Sequence, residues 1–189
     1  MIGIREDDGD KLSEPELATM AIALLLAGYA TTSHAISIGT VLLLASGEYA
    51  ELSRDPDLVA PAVEEVLRHQ TGRNAEITPR VAHADVRLGD VEIRVGETVL
   101  ASLEAANNDP ARFPEPHRFD ITRRPNPHLS FGYGPHHCLG AALARIELQA
   151  VFVALTAQFP GLRLSTPPEQ LPWRTVLMDC GPQHVPVTW

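Results

Sequence analysis

The sequence predicts a mainly α-helical protein with a small antiparallel sheet, an α+β class, and three features of its 189 residues carry that prediction. Residues 20–46 run without a single Asp, Glu, Lys or Arg. Residues 139–159 form a second helix-favouring stretch that opens on Ala141, Ala142, Leu143 and Ala144. Between them the period changes to short β-type runs split by glycine turns. The length suits one domain with a sizeable core, or one part of a larger one, and no repeat, low-complexity segment or linker divides residues 1–189.

The first helix has a clear start. Ser13 and Glu16 stand at capping-box spacing, and Pro15 is tolerated in a first turn. Gly47 is placed to end it. Residues 58–69 follow as an amphipathic helix with Val59, Val63, Val66 and Leu67 on its apolar face. Residues 71–74 break it. The β-type runs are 77–81, 86–88, 91–93 and 98–103, separated at Gly89 and Gly96. Residues 107–130 are irregular and hold five prolines (Pro110, Pro114, Pro116, Pro125 and Pro127), a length of loop that usually carries function. The tail alternates β-like runs with proline turns.

Composition narrows the class. With 44% apolar and 21% charged residues the chain is globular. A net charge of −9 argues against nucleic acid as a partner. Two cysteines, Cys138 and Cys180, build no disulfide framework, and residues 1–10 lack the basic-then-apolar order of a signal peptide, so the expected location is cytoplasmic. The uncharged run at 20–46 is long enough to span a bilayer. Its middle, however, reads Tyr29-Ala30-Thr31-Thr32-Ser33-His34, and neither end has a Lys/Arg cluster. A buried central helix without membrane contact is therefore expected.

The richest chemistry lies in Phe131-Gly132-Tyr133-Gly134-Pro135-His136-His137-Cys138-Leu139-Gly140. Gly132, Gly134 and Gly140 allow close backbone approach or positive φ. Cys138 stands just before a helix, whose free amides and dipole favour a thiolate. Taken alone, these features describe either a thiolate facing a flat, bulky ligand or a glycine turn around a buried structural cysteine. Cys180 reads as a buried thiol in the C-terminal strands.

The stretch satisfies Phe-Gly-x-Gly-x-His-x-Cys-x-Gly at every fixed position and resembles the haem-binding loop of the cytochrome P-450 family, of the bacterial soluble type. The resemblance covers essentially all 189 residues and matches only the C-terminal half of the family's fold, so a single partial domain is expected. It implies heme b (iron protoporphyrin IX) with Cys138 as the axial metal ligand, because a thiolate pushes electron density onto haem iron and favours O–O cleavage. It also implies that His136 and Arg80 meet the haem propionates, and that Phe131 packs beside sulfur and porphyrin. Arg80 reads equally as an edge-strand surface charge.

Glu65-Val-Leu-Arg68 resembles the family's Glu-x-x-Arg, whose i and i+3 positions share a helix face. With Arg118, in a Pro-rich segment similar to the family's, a buried structural triad of Glu65, Arg68 and Arg118 is expected. Residues 27–32 resemble the oxygen-binding groove of the family's central helix. There Gly28 would relax the helix and Thr31 would hydrogen-bond the bound oxygen; the bland alternative is a Thr31 hydroxyl bonded to the carbonyl four residues earlier. Ala30 replaces the acidic residue that normally precedes that threonine, removing a nearby proton donor.

The function implied is a haem-thiolate monooxygenase that inserts one atom of O2 into a small organic substrate, with electrons from a separate ferredoxin or flavoprotein. The alternatives are a haem-binding remnant with little turnover, a half-enzyme completed by a second chain, and a membrane-anchored module resting on the 20–46 run. Residues 112–145 hold five arginines and two acids within a chain of −9, a basic island suited to propionates or to an acidic electron carrier, or ordinary surface variation.

Overall fold

Glu16 closes the capping box read in the sequence: the Ser13 hydroxyl accepts from the Glu16 amide at 3.4 Å, and the Glu16 carboxylate accepts from the Ser13 amide at 2.8 Å. From there α1 (Glu14–Ser46) runs 33 residues to Gly47, whose φ of 82° supplies the left-handed end. The computed structural model describes residues 12–70, 79–176 and 179–189. The predicted break at 71–74 and the first two residues of the run at 77–81 lie outside the described residues.

Helix α2 (Tyr49–Arg54) and a 3-10 turn at Pro56–Leu58 lead into α3 (Val59–Gln70). The apolar positions read on α3, Val59, Val63, Val66 and Leu67, are all buried. Ser102 caps the short α4 (Leu103–Asn107), its hydroxyl accepting from the Ala105 amide at 3.1 Å, so the expected run to Leu103 stops as a strand at residue 99. Helix α5 (Ala141–Gln158) closes the helical set. Leu43 of α1, Leu52 of α2, Val63 and Val66 of α3, and Leu148 and Phe152 of α5 form the fully buried centre.

Among the described residues the expected small antiparallel sheet is four separate two-stranded antiparallel ladders. β1 (Arg80–Val81) pairs with β4 (Thr98–Val99), and β2 (Val86–Leu88) with β3 (Val91–Ile93). β5 (Arg163–Leu164) pairs with β8 (Val187–Thr188), and β6 (Trp173–Val176) with β7 (Asp179–Pro182). Strands of two to four residues offer too few ladder bonds and too little apolar face to assemble further.

Helix α1 departs from the fully buried helix expected. Its second half buries Ala35, Gly39, Thr40, Val41 and Leu43. Its first half stands clear of the core, with Ile22, Leu25, Leu26 and Tyr29 more than half exposed. Elements that pack on α1, chiefly α3, β7 and α5, supply the cover for its second half. By length and composition α1 and α5 are both apolar enough to cross a membrane.

Candidate functional site

The site is built outward from α3. Arg68 donates from Nε and Nη2 to the two carboxylate oxygens of Glu65 at 2.9 and 2.8 Å, with both side chains fully buried. Its Nη1 donates to the carbonyls of Asn107 (2.9 Å) and Pro116 (2.7 Å). Glu65 also accepts from the Asp120 amide and from Asn126 Nδ2, each at 3.0 Å. Burial opposes ionisation of Glu65, but hydrogen bonds from Arg68 and His69 and the Arg68 charge outweigh it and hold the carboxyl well below its usual range.

The expectation that Arg118 completes this cluster is corrected by the geometry. Its guanidinium is exposed and pairs with Glu115 at 3.3 Å. The Pro-rich segment turns so that the Arg118 carbonyl, rather than its side chain, faces inward and accepts from Arg68 at 3.2 Å. Arg123, five residues later, is the buried third member: its Nε lies 3.2 Å from Glu65 Oε1, and its other nitrogens donate to the carbonyls of Pro114 and Arg118. A close-spaced run of arginines resolves only when the turns between them are known.

Next to this cluster the chain entering the cysteine loop is tied down residue by residue. His128 Nδ1 accepts from the Ser130 amide at 3.2 Å, which leaves its Nε2 as the donor to Glu64 Oε2 at 3.0 Å. The Leu129 amide donates to Asn107 Oδ1 at 2.8 Å, and the Ser130 hydroxyl to the Leu67 carbonyl at 2.7 Å. Arg145 sits over the Phe131 ring at 4.6 Å and clamps Glu64 at 2.7 and 2.9 Å. Burial opposes ionisation of Glu64, yet the bonds from His128 and Arg145 prevail and lower its pKa to about 2. Glu64, Asn107, Arg123, His128 and Arg145 are the residues that sequence reasoning missed. Asn107 is fully buried at the end of the short α4, where the sequence reads as the start of an irregular stretch, and no spacing signals it.

Gly132 (φ 71°) and Gly134 (φ 78°) bend the loop, and a 3-10 turn at Gly134–His136 brings it back. The Cys138 amide donates to the Phe131 carbonyl at 2.8 Å, and α5 begins three residues after the cysteine. Cys138 is exposed, not the buried structural thiol of the bland reading, whereas Cys180 is buried on β7. The same loop and α5 carry further exposed apolar side chains, with Tyr133 89% and Leu139 87% exposed in the loop, and Leu143 and Ile146 exposed on α5. Among the described residues no group of three or more His, Cys, Asp or Glu converges as a metal cage. An exposed thiol without such a cage fits a metal whose other coordination positions arrive already filled, as in a porphyrin.

The remaining predicted residues are placed as follows. Arg80 lies exposed on β1 opposite Val99, and His136 is exposed in the 3-10 turn. Gly28 lies within unbroken α1, with nothing within 4 Å of a Cβ added there. The Thr31 hydroxyl donates to the Ala27 carbonyl at 2.5 Å, which is the back-bonded arrangement. Of the five arginines in the basic island, Arg118, Arg123 and Arg145 are each paired with a carboxylate.

The helical fold and the glycine-rich loop that presents Cys138 are matched by known proteins, and the comparison makes the family definite. The Cytochrome P450 family profile matches residues 50–178, and the chain belongs to the cytochrome P450 family. It is 46% identical over 184 residues to the mycinamicin IV hydroxylase/epoxidase of Micromonospora griseorubida, covering 97% of this chain and 46% of that enzyme. It is 43% identical over 188 residues to the 6-deoxyerythronolide B hydroxylase of Saccharopolyspora erythraea, covering 99% and 46%. The crystal structure of the LnmA cytochrome P450 hydroxylase of the leinamycin biosynthetic pathway, from Streptomyces atroolivaceus, superposes with a TM-score of 0.90 at 43% identity, covering 97% of this chain and 48% of that one. The chain spans about half the length of the curated relatives it matches.

Proposed function

We propose that this chain holds heme b through the Cys138 thiolate and serves a monooxygenase acting on a small organic substrate, with O2 as oxidant and electrons from a separate ferredoxin or flavoprotein in the cytoplasm. The observation that carries this reading is the exposed Cys138 thiol, held by its amide to Phe131, with no group of three or more His, Cys, Asp or Glu converging as a metal cage among the described residues. When bound, the haem supplies an iron centre that binds and activates O2 under the push of its thiolate ligand.

The chain's own residues divide the remaining work. Gly132 and Gly134 keep side chains out of the bend, Phe131 screens the sulfur, and His136 and Arg80 offer cationic or donor groups to carboxylates at the rim. Thr31 is the proton-bearing group of the oxygen groove, its Oγ1 hydrogen held on the Ala27 carbonyl until it is redirected. With Ala30 beside it, proton delivery runs through the Thr31 hydroxyl and water rather than through a carboxylate. That substitution, with the exposed first half of α1, favours a second reading: a haem-binding chain of low turnover, or one that works only when another chain covers that face.

Reconstitution with hemin tests both. Reduced protein under carbon monoxide should show the red-shifted Soret band of thiolate ligation, and Cys138→Ser should abolish it. Peroxide-driven oxidation of a test substrate, lost in Thr31→Ala, supports the enzyme; retained haem without turnover supports the second reading. Protein that stays colourless with hemin overturns both.

A further inference from the structure

We propose that Arg145 is a positioning residue for the Cys138 loop, bracing Phe131, and through it the Cys138 amide, against Glu64 of α3. The contacts form an unbroken series. Glu64 grips both Arg145 Nε (2.7 Å) and Nη2 (2.9 Å); the guanidinium lies 4.6 Å from the centre of the Phe131 ring; and the Phe131 carbonyl receives the Cys138 N–H at 2.8 Å. His128 Nε2 adds a third bond at 3.0 Å, to the Oε2 that Arg145 Nη2 also reaches, and so helps hold the carboxylate on Arg145.

The loop needs such a brace. Three glycines within residues 131–140 enlarge the set of conformations it can adopt, and two of them sit at positive φ. Inside the bend the backbone supplies only a few short-range bonds, from Gly132 to Leu129, His137 to Gly134 and Cys138 to Phe131. Phe131 is the last side chain before the bend, so holding its ring sets the direction in which the loop leaves. Arginine suits the task because one planar group can grip a carboxylate through two parallel bonds and still present a flat cationic face to an aromatic ring. Lysine can do neither in the same way. The ion pair persists across the neutral range, since the bonds from His128 and Arg145 lower the Glu64 pKa to about 2 against the effect of burial, and the bond to Glu64 raises that of Arg145. The brace is independent of the Glu65 cluster next to it, which holds the preceding Pro-rich segment.

The haem arm of the test rests on the proposed function, and the exchange arm does not. In the chain without haem, amide hydrogen exchange in peptides spanning 129–140 is expected to rise about tenfold in Arg145→Ala and to rise in Arg145→Lys, with peptides spanning 150–158 unchanged. Glu64→Gln should reproduce part of the rise, and the double variant should add little to Arg145→Ala because the two residues act as one unit. In hemin-loaded protein the same variants should shift part of the ferrous carbon monoxide signal from the red-shifted thiolate band to the blue-shifted band of a neutral ligand, at unchanged haem content. If Arg145→Ala fails to fold, Arg145→Lys carries the test. Exchange in 129–140 equal to wild type in every variant that folds overturns the inference. Wild-type protein lacking the red-shifted band overturns the haem reading instead and leaves the exchange result to decide this one.

Discussion

Gly39 on α1 and Phe152 on α5 touch where the two helices cross: a Cβ added at Gly39 would stand 2.7 Å from Phe152 Cζ and 2.8 Å from Val66 Cγ1 of α3. Three helices meet at one position that admits only a hydrogen. The crossing sets the α1–α3–α5 arrangement from which both the Glu65 cluster and the Cys138 loop are hung.

Gly39→Val should therefore overpack the crossing and destabilise the fold by about 1–3 kcal/mol in urea denaturation. Gly28→Ala, eleven residues earlier on the same helix, meets nothing within 4 Å and should stabilise by about 0.5–1 kcal/mol through helix propensity. Equal effects at the two glycines would show that the crossing is looser than these distances imply.

Arg123 and Arg118 should separate sharply. Arg123→Met removes a buried partner of Glu65 and should cost about 3–5 kcal/mol, whereas Arg118→Met breaks an exposed pair and should stay within about 0.5 kcal/mol. Chemical denaturation of the two variants side by side decides which arginine belongs to the cluster.

Acid should act through Glu64. Its folded pKa of about 2 lies below its unfolded value, so its contribution is present above about pH 4.5 and is lost as pH falls through about 2. Glu64→Gln should lower stability at neutral pH, by an amount on the order of 2 kcal/mol after allowance for partial exposure, and flatten the decline between those pH values. Unfolding midpoints measured from pH 2 to 7 should converge for wild type and variant at the acid end; a constant gap across the series would refute the assignment.

The exposed first half of α1 should drive association. Leu25 and Leu26 are 69% and 60% exposed on an uncharged stretch, so Leu25→Glu with Leu26→Glu should reduce self-association in sedimentation velocity without changing helix content. Unaltered association would place the sticky surface elsewhere.

Local chemistry made much of this readable in advance. The capping box, the glycine end of α1, the apolar face of α3 and the spacing of the cysteine loop are each written within about ten residues, and each appears in the fold. Choices between equivalent residues were not readable. Arg118 and Arg123 have the same chemistry and stand five apart, and only the turn between them decides which guanidinium reaches Glu65.

What the linear order determined on its own was helix ends, apolar faces and the loop that presents Cys138, because these depend on neighbours within a turn or two. What the tertiary structure decided was which distant partners close on them: Asn107 on Leu129, Arg145 on Glu64 and Phe131, Gly39 against Phe152, and the fact that half of α1 lies outside the core. Those contacts join residues from 14 to 113 positions apart, and separations of that kind leave no periodicity along the chain.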